Sequence, residues 1–194
     1  MRRAAAWGAV AVSVFAFAAC GGTGEDSGST SVLDAQAHVL QDAANDVHGR
    51  AAPDLTTTTV HQSGNRLVVT VHVGGELTHA LKEPCCFGRP TYIGKGLAVY
   101  FFDEASGKEW IGAGGTTFDL KRYERWKNNR PDVNHASSVR INPAWNVATF
   151  VFPVSKVPIS DHRVRLRVNS SAGTTHEIGH DNAPDEGFSA VSLP

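Results

Sequence analysis

The chain has 194 residues, of which 41% are hydrophobic and 19% charged, and this length and composition suit one globular domain with an ordinary core. Its 18 basic and 19 acidic residues nearly cancel, so the charge balance gives no reason to expect a nucleic-acid partner. After the N-terminal segment, no second apolar run suggests a membrane span.

The N-terminal segment has the composition of a bacterial export signal. Arg2 and Arg3 precede an uncharged, largely apolar run over residues 4–19, which is typical of a secretory signal peptide rather than of a spanning helix. The closing "FAAC" resembles a lipobox, although Phe17 stands where leucine is usual. The resemblance implies that residues 1–19 are removed and that Cys20 carries lipid such as palmitate. An ordinary cleaved signal followed by an incidental cysteine is the alternative.

The residues after this signal predict a tether and then a domain. Residues 20–31 begin with Cys20, continue as a Gly/Ser-rich stretch and contain no aromatic or branched aliphatic residue, which favours a flexible linker. A lipid on Cys20 would insert into the bilayer at the outer, extracytoplasmic face of the cell membrane. Residues 32–194 would then form the folded domain outside the cell.

Alternation of apolar and polar residues with a period of two dominates this domain and predicts β-strands. The clearest segments are "RLVVTVHVGG" (66–75), "GLAVYFFDE" (96–104), "NVATFVFPV" (146–154) and "HRVRLRVNS" (162–170), with a β-branched run at 56–60. Clusters of turn-forming residues lie at 63–65, 104–107, 142–146 and 170–173. Several short strands separated by such turns predict an all-β antiparallel sandwich of jelly-roll or immunoglobulin type.

Two segments fit more than one kind of secondary structure. Residues 32–44 could form a helix capped by Ser31, but "AHVL" within them also fits a first strand. Residues 118–127 mix both periodicities and fit either a helix or an edge strand with a loop.

Several of these segments together resemble secreted bacterial β-sandwich domains similar to the family 9 carbohydrate-binding modules and related jelly rolls. The resemblance rests on the acidic turn before Gly49, the strand that begins at Asp54, the segments "LAVYFFDEASGKEWIGAGG" and "VATFVFPVSKV", and the closing "DNAPDEG". It covers most of residues 38–188. It implies a binding or scaffold domain without a catalytic centre.

The segment "TTHEIGHDNAPDEG" contains H-E-x-x-H, the zinc signature of metalloproteases, as His176, Glu177 and His180. On a helix, both imidazoles would bind Zn²⁺ and Glu177 would act as general base. Here the preceding strand and turn, Gly179 inside the segment and Pro184 after it leave room for only a short helix. The motif would also need a third zinc ligand, and Glu186 is the carboxylate available for this role. A zinc hydrolase is therefore the alternative function, and a loop whose two histidines could bind metal adventitiously is the favoured interpretation.

Cys85 and Cys86 are the only cysteines left if Cys20 is lipidated. An oxidising compartment would favour a vicinal disulfide, but neighbouring Cα atoms lie about 3.8 Å apart, below the usual range for disulfides. A strained vicinal disulfide, two buried thiols and metal binding with a nearby histidine are the three alternatives.

Two turns supply the oxygen ligands that Ca²⁺ prefers. Asp42, Asn45 and Asp46 lie near the start of the domain, and Asp181 and Asp185 lie near its end. If these segments lie side by side in the fold, the two turns could share one ion. The alternative is that the side chains cap their own turns through hydrogen bonds.

Two further groups are candidates for ligand contact. Aromatic residues could stack on a sugar or pack in the core; they are Trp110, Trp126, Trp145, Tyr92 and Tyr123. Arg163, Arg165 and Arg167 predict the solvent face of a strand, which could also contact anionic lipid or cell-wall polymer. The sequence as a whole predicts a lipid-anchored, non-catalytic binding domain for a carbohydrate, cell-wall or protein ligand.

Overall fold

A computed structural model describes residues 37–43, 45–48, 52–77, 81–85, 89–116, 120–124, 135–173 and 178–194. The compact unit that contains them runs from Asp34 to Pro194. Side chains are described throughout these ranges except at 81–94, 173 and 178.

Two antiparallel sheets make up this unit. The five-stranded sheet contains β1 (His38–Gln41), β2 (Asp54–Ser63), β3 (Arg66–Gly74), β7 (Ser138–Ile141) and β8 (Val147–Pro153), in the order β1-β2-β3-β8-β7. The seven-stranded sheet contains β4 (Leu81–Cys85), β5 (Arg89–Asp103), β6 (Lys108–Thr116), β9 (Ile159–Ser160), β10 (Arg163–Gly173), β11 (Ile178–Ala183) and β12 (Ser189–Ser192). In this sheet, β11, β10, β5 and β4 are neighbours in that order. In addition, β9 and β12 pair with β10, and β6 pairs with β5. The predicted all-β antiparallel sandwich is therefore confirmed.

The core lies between the two sheets and contains the residues that the alternation predicted to be buried. In β3, the apolar face is 0–6% exposed at Leu67, Val69, Val71 and Val73. In β10, the apolar residues at 164, 166 and 168 are fully buried, while the arginines between them face outward. Phe101, Phe150 and Phe152 are the largest fully buried side chains, and the rings of Phe101 and Phe152 meet edge to face at 5.1 Å.

Gly112 in β6 is required by this aromatic packing. A Cβ at residue 112 would lie 2.3 Å from the ring of Phe101 and 3.1 Å from Phe152. No side chain larger than hydrogen fits at that distance without displacing the phenylalanines. The glycine therefore allows β6 to lie close to the core, and Trp110, two residues earlier in the same strand, lies beside Phe101.

Three of the four predicted turn clusters are confirmed, and the fourth is wrong. Residues 64–65, 104–107 and 143–146 connect strands, with the left-handed φ of +56° at Gly64 in the first. The Ser/Gly cluster at 170–173 belongs instead to β10, which pairs with β5 and β11 as far as Gly173. Ser170 is fully buried there and its hydroxyl donates to the carbonyl of Pro53, so tertiary contacts override the local preference for a turn.

The two ambiguous segments are also resolved in their described parts. The "AHVL" segment is largely strand, since β1 pairs with β2 through His38–Gln41. Residues 120–124 form a helical turn in which Leu120 and Tyr123 are buried. The hydroxyl of Tyr123 donates a hydrogen bond of 2.8 Å to the carbonyl of Ala136. This turn therefore packs against the core rather than adding an edge strand.

Candidate functional site

The first and last parts of the domain lie side by side, as a shared site between the two acidic turns would require. His48 and His180 form an isolated antiparallel bridge, in which each backbone N–H donates to the other's carbonyl at 2.8–2.9 Å. The segment after β1 therefore runs antiparallel to β11. This arrangement places Asp42 and Asp46 next to Asp181, although more than 130 residues separate them in the sequence.

Asp42, Asp46 and Asp181, here called the carboxylate cluster, each offer an oxygen within 4.8 Å of the others. Asp181 is 3% exposed and the other two are half-buried. Oδ2 of Asp42 and Oδ1 of Asp46 are buried and have no hydrogen-bond partner within the described ranges. Buried carboxylate oxygens normally have such partners, because an unsatisfied one costs free energy. The geometry therefore leaves two carboxylate oxygens available to a bound group.

Backbone hydrogen bonds hold the cluster in place. The N–H of Leu55 donates to Oδ2 of Asp181 at 2.6 Å, and the N–H of Asp42 donates to the carbonyl of Thr56 at 3.1 Å. The N–H of Asn45 donates to Oδ1 of Asp54 at 2.9 Å. These bonds tie both acidic segments to the start of β2.

Asn45, the remaining candidate Ca²⁺ ligand of the first turn, lies between Asp42 and Asp46, and its role as a ligand stays a prediction. Its backbone adopts a left-handed φ of +66°, which asparagine tolerates better than most residues. Through its N–H it forms the turn between Asp42 and Asp46. Asp54, which receives this hydrogen bond, is a supporting residue that sequence reasoning did not assign to the site. Its position at the start of a strand was visible, but its proximity to the turn was not.

Mutual repulsion and burial change the acidity of the cluster. Burial, followed by the negative charges of Asp181, Asp46 and Asp185, raises the pKa of Asp42 to about 7. Burial raises the pKa of Asp181 against the lowering effect of the Leu55 N–H, and the charge of Asp46 raises it further. Desolvation and a hydrogen bond with Asp46 raise the pKa of Asp185. The three shifts share two causes, burial first and then the negative charge of neighbouring carboxylates.

A cavity of about 360 Å³ opens from this cluster to the surface. Asp46 and Asp181 line its inner part, and Asp185, Glu186, His48 and His180 line its outer part. The rings of the two histidines lie 5.8 Å apart and meet edge to face. The cavity therefore combines three of the five predicted Ca²⁺ ligands with two residues predicted for Zn²⁺ and with His48, which the sequence did not single out.

The H-E-x-x-H segment lacks the helical geometry of a zinc protease at its second histidine. His180 lies in β11, a strand in which residues 178–183 pair with β10. His176 and Glu177 lie outside the described residues. The short helix for which the sequence left room does not extend over residues 178–183, because that segment forms ladder hydrogen bonds with β10 instead. Glu186 is exposed at the rim of the cavity.

Other predicted site residues fall outside the described part. Cys20 and Cys86 are not described, and Cys85 is described only as the last residue of β4. Trp126 and the side chain of Tyr92 are likewise undescribed. Lipidation, the vicinal disulfide and the roles of these two aromatic residues stay predictions.

The arginine face of β10 is confirmed as a solvent face, and two of its charges are neutralised. Arg167 pairs with Glu109 at 2.8 Å and Arg165 with Glu104 at 3.7 Å. Arg167 also lies over the rings of Tyr100 and Phe188, at 5.3 and 5.1 Å from their centroids. Because acidic neighbours balance these arginines, the face has less attraction for an anionic surface than the sequence suggests.

Trp110 lines a second cavity, of about 610 Å³, here called the Trp110 cleft. Its indole lies 5.2 Å from the ring of Phe101 and 4.8 Å from that of His135. Asp103 and Lys156 also line the cleft. The hydroxyl of Ser106 and the backbone of the turn hold the pKa of Asp103 below its usual value, and burial and the charge of Lys156 lower the pKa of His135. Trp145, by contrast, packs against the core, with Lys121 4.2 Å above its ring.

Comparison with protein-family models, curated proteins and solved structures finds no match to this chain. Among the described residues, no helix is long and apolar enough to span a membrane. The chemistry of the two cavities is therefore the basis for inferring function.

Proposed function

We propose that the protein is a lipid-anchored, extracytoplasmic β-sandwich that binds a divalent cation, Ca²⁺, and serves as a non-catalytic binding domain outside the cell. The observation that carries the cation site is the pair of buried, unpartnered carboxylate oxygens on Asp42 and Asp46. In addition, Asp42, Asp46 and Asp181 each place one carboxylate oxygen within 4.8 Å of the others. A divalent cation bound between them would satisfy both oxygens and offset the repulsion of three carboxylates.

The donor set favours a hard cation. Ca²⁺ takes six to eight oxygen ligands in a flexible geometry, and the carboxylates of the cluster can bind in monodentate or bidentate fashion. Asp185 lies within hydrogen-bonding reach of Asp46, and the adjoining cavity has room for water ligands. Zn²⁺ prefers nitrogen and sulfur ligands, and His48 and His180 supply such nitrogens only at the outer part of the adjoining cavity. The buried part of the site is therefore better suited to Ca²⁺.

Calorimetric titration of the purified protein with Ca²⁺ tests this assignment. We expect binding of one ion, and a loss of affinity of at least tenfold in Asp46→Asn, because that change removes one of the charged ligands. Asp161→Asn is the matched control, since this exposed turn residue lies outside the cavity and asparagine also tolerates its left-handed φ of +48°. Equal Ca²⁺ affinity in the unmodified protein and both variants would show that the carboxylate cluster is not the Ca²⁺ site.

The purified protein can also be used to test the alternative function, that of a zinc hydrolase. That function predicts stoichiometric Zn²⁺ after purification and a peptidase activity that Glu177→Ala abolishes. A binding domain predicts neither result. Zn²⁺ binding that depends on His180 but not on Asp42 would favour the hydrolase over the Ca²⁺ site.

Membrane anchoring is tested separately by cell fractionation. If Cys20 carries the lipid, Cys20→Ala moves the protein from the membrane fraction to the soluble fraction. Cys85→Ala is the control and should leave the distribution unchanged. Membrane association of the Cys20 variant would contradict the anchor without affecting the cation site.

The ligand outside the cell belongs to the carbohydrate, cell-wall or protein classes that the sequence predicts. The resemblance to family 9 carbohydrate-binding modules supports the first class at the level of sequence pattern. A glycan and cell-wall binding screen with and without Ca²⁺ discriminates among the three.

A further inference from the structure

The Trp110 cleft is lined by two side chains of opposite charge, Asp103 and Lys156. Neither Asp103 nor Lys156 forms an ion pair within the described part of the chain. The Asp103 carboxylate accepts hydrogen bonds from the N–H of Ala105 at 3.0 Å and the hydroxyl of Ser106 at 2.7 Å, which fix its position in the β5–β6 turn. Lys156 is exposed at the end of the 3-10 turn Val154–Lys156. A positioned carboxylate and an ammonium group therefore line one cavity without pairing with each other.

The rest of the lining is apolar or uncharged. Trp110, Ile111, Val157 and Pro158 supply apolar surface. The lowered pKa of His135 keeps its imidazole neutral at neutral pH. The net charge of the lining is thus about zero, with one charge of each sign. A simple anion or cation would meet one favourable and one unfavourable charge there.

The aromatic packing makes the apolar wall rigid. Phe101 is fully buried, and its ring contacts both Phe152 in the core and Trp110 at the cleft. His135 is held on the other side by its N–H, which donates to the carbonyl of Gly112 at 2.7 Å. A preformed apolar wall with a few fixed polar groups is typical of small-molecule sites, and a volume of about 610 Å³ lies within their usual range.

We propose that the Trp110 cleft binds a zwitterion with an apolar body, that is, an apolar amino acid or a short apolar peptide. The ligand's ammonium group pairs with Asp103, its carboxylate pairs with Lys156, and its side chains pack against Trp110 and Pro158. This binding site is separate from the cation site and does not depend on it.

Titration calorimetry with L-leucine, L-phenylalanine and the dipeptide Leu-Leu tests the assignment. We expect at least one of them to bind, and Asp103→Asn and Lys156→Met each to weaken binding by roughly 10–100-fold, since each removes a charge-assisted contact. Glu104→Gln and Lys108→Met are matched controls on exposed residues of the same hairpin and should bind as the unmodified protein does. Circular dichroism of each variant separates loss of binding from loss of folding.

Ligand analogues assign each charge to its partner. The N-acetylated form of the binding ligand lacks the ammonium group, so Asp103→Asn should not weaken its binding further, while Lys156→Met should. The C-terminal amide should show the reverse pattern. Binding that is insensitive to both variants, binding of a neutral sugar such as maltose in place of the zwitterions, or no binding of any zwitterion at 10 mM (roughly the weakest range of specific affinity) would overturn the proposal. The Ca²⁺ titration is unaffected by any of these outcomes, so the two sites fail independently.

Discussion

The carboxylate cluster and the Trp110 cleft lie four residues apart along β10 and differ in how their charges are balanced. Asp181 pairs with Ser170 of β10, whereas Trp110 pairs with Phe101, which pairs with Leu166 of β10. This offset along the strand direction is about 13 Å at the usual rise of a strand, and β11 and β6 are also three strand spacings, about 14 Å, apart across the sheet. At the cluster, several carboxylates share one cavity, and the pKa of Asp42 rises to about 7. At the cleft, one carboxylate and one ammonium group offset each other.

This difference decides what each site can bind. An excess of buried negative charge is relieved by a cation or by a proton, and either one stabilises the native state. At the cleft, a single ion would be attracted by one of the two charges and repelled by the other. A ligand that carries one charge of each sign can pair with both Asp103 and Lys156. The two sites should therefore respond to different ligands, and perturbing one should leave the affinity of the other unchanged.

The largest expected effect comes from Gly112→Ala, which tests whether the two sites are independent. The added Cβ collides with Phe101, so we expect a loss of about 3 kcal/mol in unfolding free energy, the upper end of ordinary overpacking. A calorimetric melting curve should show a decrease of roughly 6–12 °C. Zwitterion affinity should fall with it, because Phe101 supports Trp110, while Ca²⁺ affinity should remain. Equal losses at both sites would show that they are coupled.

Ca²⁺ should have the next largest effect, through the cluster alone. At a concentration 100 times its dissociation constant, a ligand that binds only the native state contributes about 2.7 kcal/mol of stability. We expect the melting temperature to rise by roughly 5–10 °C on adding Ca²⁺ and to return on adding a chelator. Asp42→Asn should abolish this response and should itself raise the melting temperature without Ca²⁺, because it removes a repelled charge. A variant that melts lower than the unmodified protein without Ca²⁺ would contradict the repulsion.

The stability of the protein without bound Ca²⁺ should depend on pH. The expected change is smaller than the effect of Ca²⁺, and its direction follows from the pKa of Asp42. The native pKa of Asp42, about 7, lies above its ordinary value of 3.8, so the native state binds more protons between these values than the unfolded state. The contribution of Asp42 to stability is therefore present at low pH and is lost as pH rises from about 4 to 7. With allowance for partial exposure, we expect this contribution to fall by about 1–2 kcal/mol between pH 5 and 7.5.

The control for this pH effect is Asp42→Asn, since other carboxyl groups also titrate in the same range. The difference between the melting curves of the unmodified protein and the variant isolates Asp42. A difference that does not change between pH 5 and 7.5 would mean that the carboxyl group titrates at its ordinary pKa.

The smallest effect is expected on the arginine face outside both cavities. Glu109→Gln removes the partner of Arg167, but both side chains are partly exposed, at 39% and 25%. A pair of this kind contributes about 0.5 kcal/mol, so chemical denaturation should detect only a slight loss of stability. Neither ligand titration should change. A loss above about 2 kcal/mol would indicate that the Arg167–Glu109 pair is part of a more strongly coupled network with Tyr100 and Phe188.

The sequence predicts the strands better than it predicts the sites, because alternation is local and the sites are not. The buried faces of β3 and β10 are visible as period-two patterns. The Ser/Gly composition of residues 170–173 predicts a turn, yet β5 and β11 pair with this segment on both sides and keep it extended. Local propensity cannot contain that information, since the partners lie far away in the sequence.

The two sites show the same limit in different degrees. Asp42, Asp46 and Asp181 are recognisable as oxygen ligands by residue type, and only their proximity had to be assumed. The sequence did not identify His48 and Asp54 as site residues, because the role of His48 depends on its bridge to His180 and that of Asp54 on the turn at Asn45. In the Trp110 cleft, Trp110 is the one lining residue that the sequence marked as a candidate for ligand contact. Asp103, at the end of β5, His135, before β7, and Lys156, in the 3-10 turn after β8, are far apart in the chain and form no motif in the sequence.

Diffraction from crystals of the protein grown with millimolar Ca²⁺ tests the central claim most directly, because it locates the ion. The account predicts one ion bound by carboxylate oxygens of Asp42, Asp46 and Asp181 at about 2.3–2.6 Å. It also predicts that crystals of Asp46→Asn lack this ion under the same conditions. An ion bound at the histidines instead, or none at this concentration, would contradict the assignment of the carboxylate cluster as a Ca²⁺ site.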